Sequence, residues 1–283
     1  MKLQGKVALI TGGGQGIGEG IVRCLAEEGA DAAIVDLNGE NANRLARELE
    51  TMGRKTMAIE ADATKNDQVD KAVSDTLTYF GQIDILVNNV GGVSGDPAQN
   101  MTANFIERTE EEWQESYELN LKSHIIMVKA IVPHFVERGG GKIVNVASGA
   151  AKQPSKMFMP YATFKAADMA LTRSLATELA GANINVNCVL PGLIYTPLWQ
   201  RGAEAMHSLA MESAKATGDG SDKELEKISP KDFWLMNVVA PTTPLQREQT
   251  PEDIGKAVVF LVSEDARNIT GQALSIDGGQ VMH

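Results

Sequence analysis

The sequence is poor in cysteine, in aromatic residues and in positive charge, and it contains no long apolar run. Cys24 and Cys188 are the only cysteines among 283 residues. One falls in a helix-like segment and the other in a strand-like one, which excludes a disulfide framework and marks both as small buried thiols of a reducing compartment. The apolar run Val7–Ile10 is too short for a signal-peptide core, and no stretch approaches a bilayer's thickness, so a cytoplasmic protein without a membrane is expected. Lys and Arg number 26 against 37 Asp and Glu, a net charge of −11, which argues against a nucleic-acid partner because phosphate binding needs clustered cations. His124, His134, His207 and His283 lack metal-like spacing; each reads as structural or surface, and no metal is expected.

What is there fits a soluble globular protein. Hydrophobic residues make up 43% and charged residues 22%, which excludes disorder. Without repeats, low-complexity tracts or a change of composition, one domain over residues 1–283 is expected. Short apolar runs at Lys6–Thr11, Ala32–Asp36, Thr56–Ala61, Ile83–Asn88, Lys142–Ser148, Asn183–Leu190 and Ala273–Ile276 alternate with helical patterns. The helices are Gly16–Gly29, Glu40–Met52, Asp67–Phe80, Glu110–Arg138, Tyr161–Gly181 and Pro251–Ser263. This alternation predicts an α/β fold, a Rossmann-type doubly wound sheet of seven parallel strands with helices on both faces. Thr109 with Glu112, and Thr250 with Asp253, have the spacing of helix capping boxes. Two stretches break the rhythm, Gly91–Thr109 and Leu193–Gln249. The second, with Leu198, Trp199, Met206, Phe233, Trp234 and Met236, is too apolar for a solvated loop. It predicts a substrate lid over about residues 193–249; a packing insertion or a subunit contact is the alternative.

The first strand runs into Thr11-Gly12-Gly13-Gly14-Gln15-Gly16-Ile17-Gly18 and then a helix. Glycines let a backbone approach a pyrophosphate, and the helix start offers amides to negative charge, although such a turn can also serve tight packing alone. No Lys-Ser/Thr pair follows, so a dinucleotide is favoured over a nucleoside triphosphate. Asp36 closes the second strand at the distance where an acid meets the adenosine ribose, although an Asp there can be a mere turn residue. A 2′-phosphate about 4 Å from its carboxylate would cost roughly 4 kcal/mol per charge pair at an effective dielectric near 20. No Lys or Arg stands at Gly13–Gln15 or just after Asp36, so the position selects NAD.

Tyr161 and Lys165 lie four apart in a helical stretch, on one face. A nearby ammonium favours a phenolate, and the pair could then move a proton, although Y-x-x-x-K alone also describes a surface pair. Ser148 ends the fifth strand, at the edge where ligands of parallel sheets bind, although a turn role alone is open. Asn120 costs helix propensity in Glu118-Leu119-Asn120-Leu121, a mild sign of a task. Together, Thr11–Gly18, Asn88-Asn89-Val90-Gly91, Asn120, Ser148, Tyr161-x-x-x-Lys165 and Pro191-Gly192 resemble the short-chain dehydrogenase/reductase family, over residues 6 to about 279.

That resemblance implies the roles that follow. Tyr161 is the general acid/base, Lys165 binds the nicotinamide ribose and lowers the tyrosine's pKa, Ser148 holds the substrate oxygen with Tyr161, and Asn120 interrupts helical bonding to hold a water. It implies cofactor contacts at Gly12, Gly14, Gln15, Gly16, Ile17, Gly18, Asp36, Leu37, Asp62, Ala63, Asn89, Val90, Gly91, Tyr161, Lys165, Pro191, Gly192, Ile194 and Thr196. Val90 replaces the family's common alanine and adds bulk beside the nucleotide. A homotetramer built on Glu110–Arg138, Tyr161–Gly181 and the C-terminal strand region is likewise implied. The expected activity is NAD-dependent interconversion of a secondary alcohol and a ketone, with oxidation as the working direction. Met157, Phe158, Met159 and the apolar lid suggest an apolar, cyclic or acyl small-molecule substrate rather than a sugar. A 3-oxoacyl thioester reductase, an epimerase or dehydratase on the same sheet, and a catalytically silent NAD-binding module are the alternatives.

Overall fold

The computed structural model describes all residues except 94, 96–102, 156–157, 219 and 283, and the side chain of Leu198. The strands are β1 (Val7–Thr11), β2 (Asp31–Asp36), β3 (Thr56–Glu60), β4 (Ile85–Asn88), β5 (Gly141–Val146), β6 (Ile184–Pro191) and β7 (Ala273–Ile276). They form one parallel sheet in the order β3-β2-β1-β4-β5-β6-β7. The central strands are apolar at almost every position because both faces are covered. On one face Ile21 and Leu25 of α1 (Gly16–Glu27), Leu45 of α2 (Gly39–Thr51) and Val258 of the C-terminal helix pack against β1 and β5. On the other, Val73 of α3 (Asn66–Phe80), Ile131 and Phe135 of α5 (Ser123–Arg138) and Leu179 of α6 (Met159–Leu179) do the same. The order reverses between β1 and β4, so the crevice at the carboxyl ends of these strands is where such a sheet takes its ligand.

The Thr109 and Thr250 capping boxes form, and each threonine hydroxyl accepts from the amide three residues on. The helix expected over Glu110–Arg138 is instead α4 (Glu110–Tyr117), one π turn (Glu118–Lys122) and α5. The fifth strand stops at Val146, two residues earlier than expected, and Ser148 caps a short 3-10 turn, accepting from Ala150 N. Sheet pairing of β4 starts at Ile85 rather than Ile83.

Residues 193–249 are largely helical: α7 (Pro197–Thr217), α8 (Ser221–Leu225), α9 (Pro230–Trp234), a π turn (Leu235–Val239) and α10 (Ala240–Thr242). Their apolar content is explained mainly by a small core of their own. Trp234 is fully buried, with ring centroids 5.5 Å from Tyr195 and 5.7 Å from Trp199, and with Ala203 and Val239 alongside. Among the described residues no helix is long and apolar enough to cross a membrane.

The last helix, α11 (Pro251–Val262), crosses α1 through glycines. A Cβ on Gly255 would lie 2.6 Å from both Cys24 Sγ and the Gly20 carbonyl oxygen. Cys24 is therefore a packing residue, its thiol pushed up to about 11 by burial first and by the nearby Glu27. Cys188, also free, is pushed up to about 12 by burial and then by Asp168. Gly255→Ala is expected to cost about 1–3 kcal/mol through overpacking. Urea unfolding checks this; an unchanged midpoint would show that the helices can separate freely.

Candidate active site

The glycine turn after β1 is shaped first by its own backbone. Gly12 and Gly16 have φ of +60° and +55°, and a Cβ on Gly18 would collide with the Gly12 carbonyl. Gln15 precedes α1 with an extended backbone and no side-chain cap, so the first-turn amides of Gly16, Ile17 and Gly18 face an anion site without a competing side chain. Gly14 N donates to Asp36 Oδ2 at 2.8 Å, and Asn38 N to Asp36 Oδ1 at 2.9 Å. The carboxylate is thus fixed between the glycine turn and the start of α2, with exposed Leu37 beside it. Asp62 accepts from the Thr64 amide and hydroxyl at 2.8 and 2.7 Å, and Ala63 is buried, in the turn after β3. A cradle of amides and a fixed acid at the end of β2 fit an adenine dinucleotide.

Local sequence does not reveal Arg44, which belongs to this corner. Its Nη2 donates to the Gly14 carbonyl at 3.2 Å. No Lys or Arg stands at Gly13–Gln15 or just after Asp36, so this cation comes from further along the chain, and its charge is matched by Glu19 at 2.6 Å and Glu48 at 3.0 Å.

The turn after β4 is stitched to the glycine turn. Asn89 Nδ2 donates to the carbonyls of Thr11 at 3.2 Å and Gly12 at 2.9 Å, while Thr11 Oγ1 accepts from Asn89 N at 3.1 Å and Val90 N at 3.4 Å. Asn120, buried in the π turn, is tied to the backbone of Gly92: its Nδ2 donates to the carbonyl and its Oδ1 accepts from the amide, both at 2.9 Å. Asn120 Nδ2 also donates to the Ser116 carbonyl at 3.0 Å. The interruption expected at Asn120 is present as a π turn, a common form of helix break at functional sites.

Lys165 lies under this turn, 2% exposed, its Nζ donating to the Val146 carbonyl at 2.8 Å. A Cβ on Gly91 would sit 2.6 Å from that nitrogen and 3.0 Å from Asn120 Oδ1. Tyr161 is half-buried one helical turn before Lys165, its ring centroid 6.0 Å from Nζ, with Ser148 near enough to favour the phenolate. Burial pulls the lysine below its ordinary range, opposed by the charge of Asp168. The phenol runs against expectation. Burial pushes Tyr161 above the ordinary tyrosine range, Asp168 adds to this, and Ser148 opposes it. Desolvation thus outweighs any help that Lys165 gives a phenolate.

The Pro191-Gly192 turn closes the edge. Gly192 N donates to Ile276 O at 3.0 Å, Ile194 is buried, and the Thr196 methyl lies 3.6 Å from where a Gly16 Cβ would stand. Thr196 therefore overhangs the anion cradle at the start of α7. Phe158 precedes α6 and Met159 opens it, while Met157 and His283 fall outside the described residues.

The model of the short chain dehydrogenase family matches residues 6–207. The chain belongs to the short-chain dehydrogenase/reductase family. These are oxidoreductases acting on CH–OH and ketone groups. A second model, described as Enoyl-(Acyl carrier protein) reductase, matches residues 225–281. The 3-oxoacyl-(acyl-carrier-protein) reductase FabG of Thermotoga maritima is 33% identical over 282 residues, covering 100% of both chains. A 7 alpha-hydroxysteroid dehydrogenase, solved with NADH and 7-oxo glycochenodeoxycholic acid, superposes with a TM-score of 0.81 at 30% identity, over 100% of this chain and 96% of that one. The L-sorbose reductase of Gluconobacter frateurii, solved with NADPH and L-sorbose, gives a TM-score of 0.84 at 34% identity over 100% of both.

In this short-chain dehydrogenase/reductase the phenol shift has a measurable consequence. Between pH 10 and its raised value, the folded state keeps a proton that the unfolded state loses, so stability falls as pH rises there. A difference titration at about 295 nm between wild type and Tyr161→Phe should place the missing phenol step above pH 10. A missing step below that pH would overturn the assignment.

Proposed function

We propose that the protein interconverts a secondary alcohol and a ketone with NAD(H), on an apolar, cyclic or acyl substrate. The observation that carries the reading is the half-buried Tyr161 phenol, with Ser148 close by and the buried Lys165 amine one helical turn on, at the carboxyl edge of the sheet. A nicotinamide dinucleotide, bound on the first-turn amides of α1 and against Asp36, supplies or takes up the hydride. Ser148 and Tyr161 hold the substrate oxygen, and the phenol passes a proton to it or takes one from it. Lys165, placed by the Val146 carbonyl and by the absence of a side chain on Gly91, lies where it can bind the nicotinamide ribose. The Asp36 carboxylate and the neutralised Arg44 support NAD over NADP, because a 2′-phosphate would meet an acid with no uncommitted cation beside it.

The substrate class draws support from Phe158 and Met159 beside the tyrosine, and from relatives named for oxoacyl and steroid substrates. The aromatic residues of the lid core lend less support, since Trp234 is buried against Tyr195 and Trp199. A 3-oxoacyl thioester reductase is the second reading, favoured by the Thermotoga relative. We also propose a homotetramer through α4–α5, α6 and β7, supported by the exposed apolar side chains of Val136 and Leu274 on these elements.

Steady-state rates with NAD⁺ and NADP⁺ against aliphatic, alicyclic, aromatic, steroidal, sugar and hydroxyacyl alcohols test the chemistry. Tyr161→Phe is expected to lower kcat by about 10² to 10⁴ while dinucleotide binding persists. A preference for NADP⁺ would overturn the cofactor assignment, and full activity in the variant would overturn the role of the phenol. Light scattering is expected to give four times the 30.3 kDa chain mass; a monomer would remove the tetramer alone.

A further inference from the structure

Behind the catalytic residues lies a buried ionisable pair that the chemistry above does not use. His124 sits on α5 one turn after Asn120, and Asp168 on α6 one turn after Lys165; both are fully buried. His124 Nδ1 lies 3.0 Å from Asp168 Oδ1, and Nε2 lies 2.9 Å from the Val90 carbonyl oxygen. A carbonyl only accepts, so Nε2 carries a hydrogen and donates it. The Nδ1–Oδ1 contact then needs a second proton, either on the ring facing a carboxylate or on a carboxylic acid facing a neutral ring. In both forms the pair shares that proton and is neutral as a whole. The second carboxylate oxygen is buried without a hydrogen-bond partner among the described residues, which makes a lone, uncompensated Asp168 costly.

The ionisable groups within electrostatic reach of Asp168 are Tyr161 and Lys165 on its own helix and Cys188 on β6. The other end of the pair reaches Val90, whose backbone belongs to the turn that must stay against Lys165. Besides the bonds of the Asn89 side chain to the Thr11 and Gly12 carbonyls, that turn has three anchors. Thr11 Oγ1 holds the amides of Asn89 and Val90, Asn120 holds Gly92, and His124 holds the Val90 carbonyl from below. The first joins the turn to the glycine loop and the second to the π turn. Among the described residues, His124 joins it by hydrogen bonds, through Asp168, to the helix that carries Tyr161 and Lys165.

We propose that His124 and Asp168 are positioning residues: a proton-sharing clamp that fixes the Val90–Gly92 turn against the catalytic helix and so keeps the dinucleotide-facing edge in register with Lys165. The clamp's purpose rests on the dehydrogenase reading; its proton placement rests on the distances alone. Opening it frees the turn, loosens the dinucleotide and misplaces Lys165. Replacing Asp168 with Asn keeps both hydrogen bonds, because the amide can donate to Nδ1 of a neutral ring protonated at Nε2, whereas Ala keeps neither the partner nor the ring orientation.

Four measurements test this. Titration with NADH, followed by fluorescence, is expected to show affinity about tenfold weaker or worse in His124→Phe and Asp168→Ala, and about threefold weaker in Asp168→Asn. The same order is expected for kcat, with the melting temperature of the asparagine variant close to that of wild type. In the dinucleotide-free protein, nitrogen NMR of labelled histidine at about pH 7, assigned through His124→Phe, is expected to show Nε2 of His124 protonated. A neutral ring protonated only at Nδ1 overturns the clamp, and so does unchanged NADH affinity in His124→Phe. Equal loss in the asparagine and alanine variants also overturns it, because the hydrogen-bond geometry would then not be what matters. Wild-type protein that binds neither NADH nor NADPH overturns the dehydrogenase reading instead, and the clamp's purpose with it, whatever the NMR result.

Discussion

The functional edge is organised around a lysine taken out of water. Lys165 gives up its hydration for the Val146 carbonyl, and burial draws its pKa down. A buried amine is tolerable only where its hydrogens have acceptors. The sheet order supplies the surroundings: β4 and β5 are neighbours, with Asn88 in register with Asn145, so the turn after β4 and the end of β5 arrive on either side of the same nitrogen. Gly91 leaves room for that nitrogen where any Cβ would occupy its place. Tyr161 lies one turn away on the same helix, so placing the lysine largely places the phenol.

A polar layer beneath the edge makes that placement specific. Asn88 Nδ2 donates to Asn145 Oδ1, and Asn145 Nδ2 donates to Thr172 Oγ1, both at 2.9 Å, tying β4, β5 and α6 together inside an otherwise apolar sandwich. Buried bonds of this kind add little net stability, but they penalise every register that leaves them unpaired. The π turn at Asn120 works in the same way. Its local loss of regular helical bonding is offset by the paired bonds to Gly92, and the result is a fixed distance between the α4–α5 helix and the turn that lines the cleft.

How far the sequence can be read depends on how local each interaction is. The glycine turn, Asp36, Ser148 and Tyr161-x-x-x-Lys165 depend on neighbours a few residues away or on strand ends, and all of them meet at one edge of the sheet. The sevenfold alternation of strand and helix specified the sheet because each apolar run is buried on both faces. The lid was harder. Its apolar residues suggest a pocket wall, whereas Trp234 is buried against Trp199 of another helix and Tyr195 of the turn before it, and no periodicity distinguishes these outcomes. Arg44 is neutralised by Glu19 from 25 positions away, and His124 meets Asp168 across 44. Such pairings follow from the packing of α5 on α6 and of α2 on α1, which single-sequence spacing does not contain.

The phenol separates two effects that the pattern of residue types joins. A tyrosine four residues from a lysine suggests a stabilised phenolate, yet the burial that forms the cleft acts on both side chains and disfavours both charges. Nζ of Lys165 is directed at a backbone carbonyl, and the Asp168 carboxylate lies within electrostatic reach, so Ser148 is what draws the phenol back toward ionisation. At neutral pH the protein's own residues therefore present a neutral phenol, a proton donor ready for a carbonyl oxygen. Accepting a proton from an alcohol calls for a phenolate, which positive charge close to the oxygen favours.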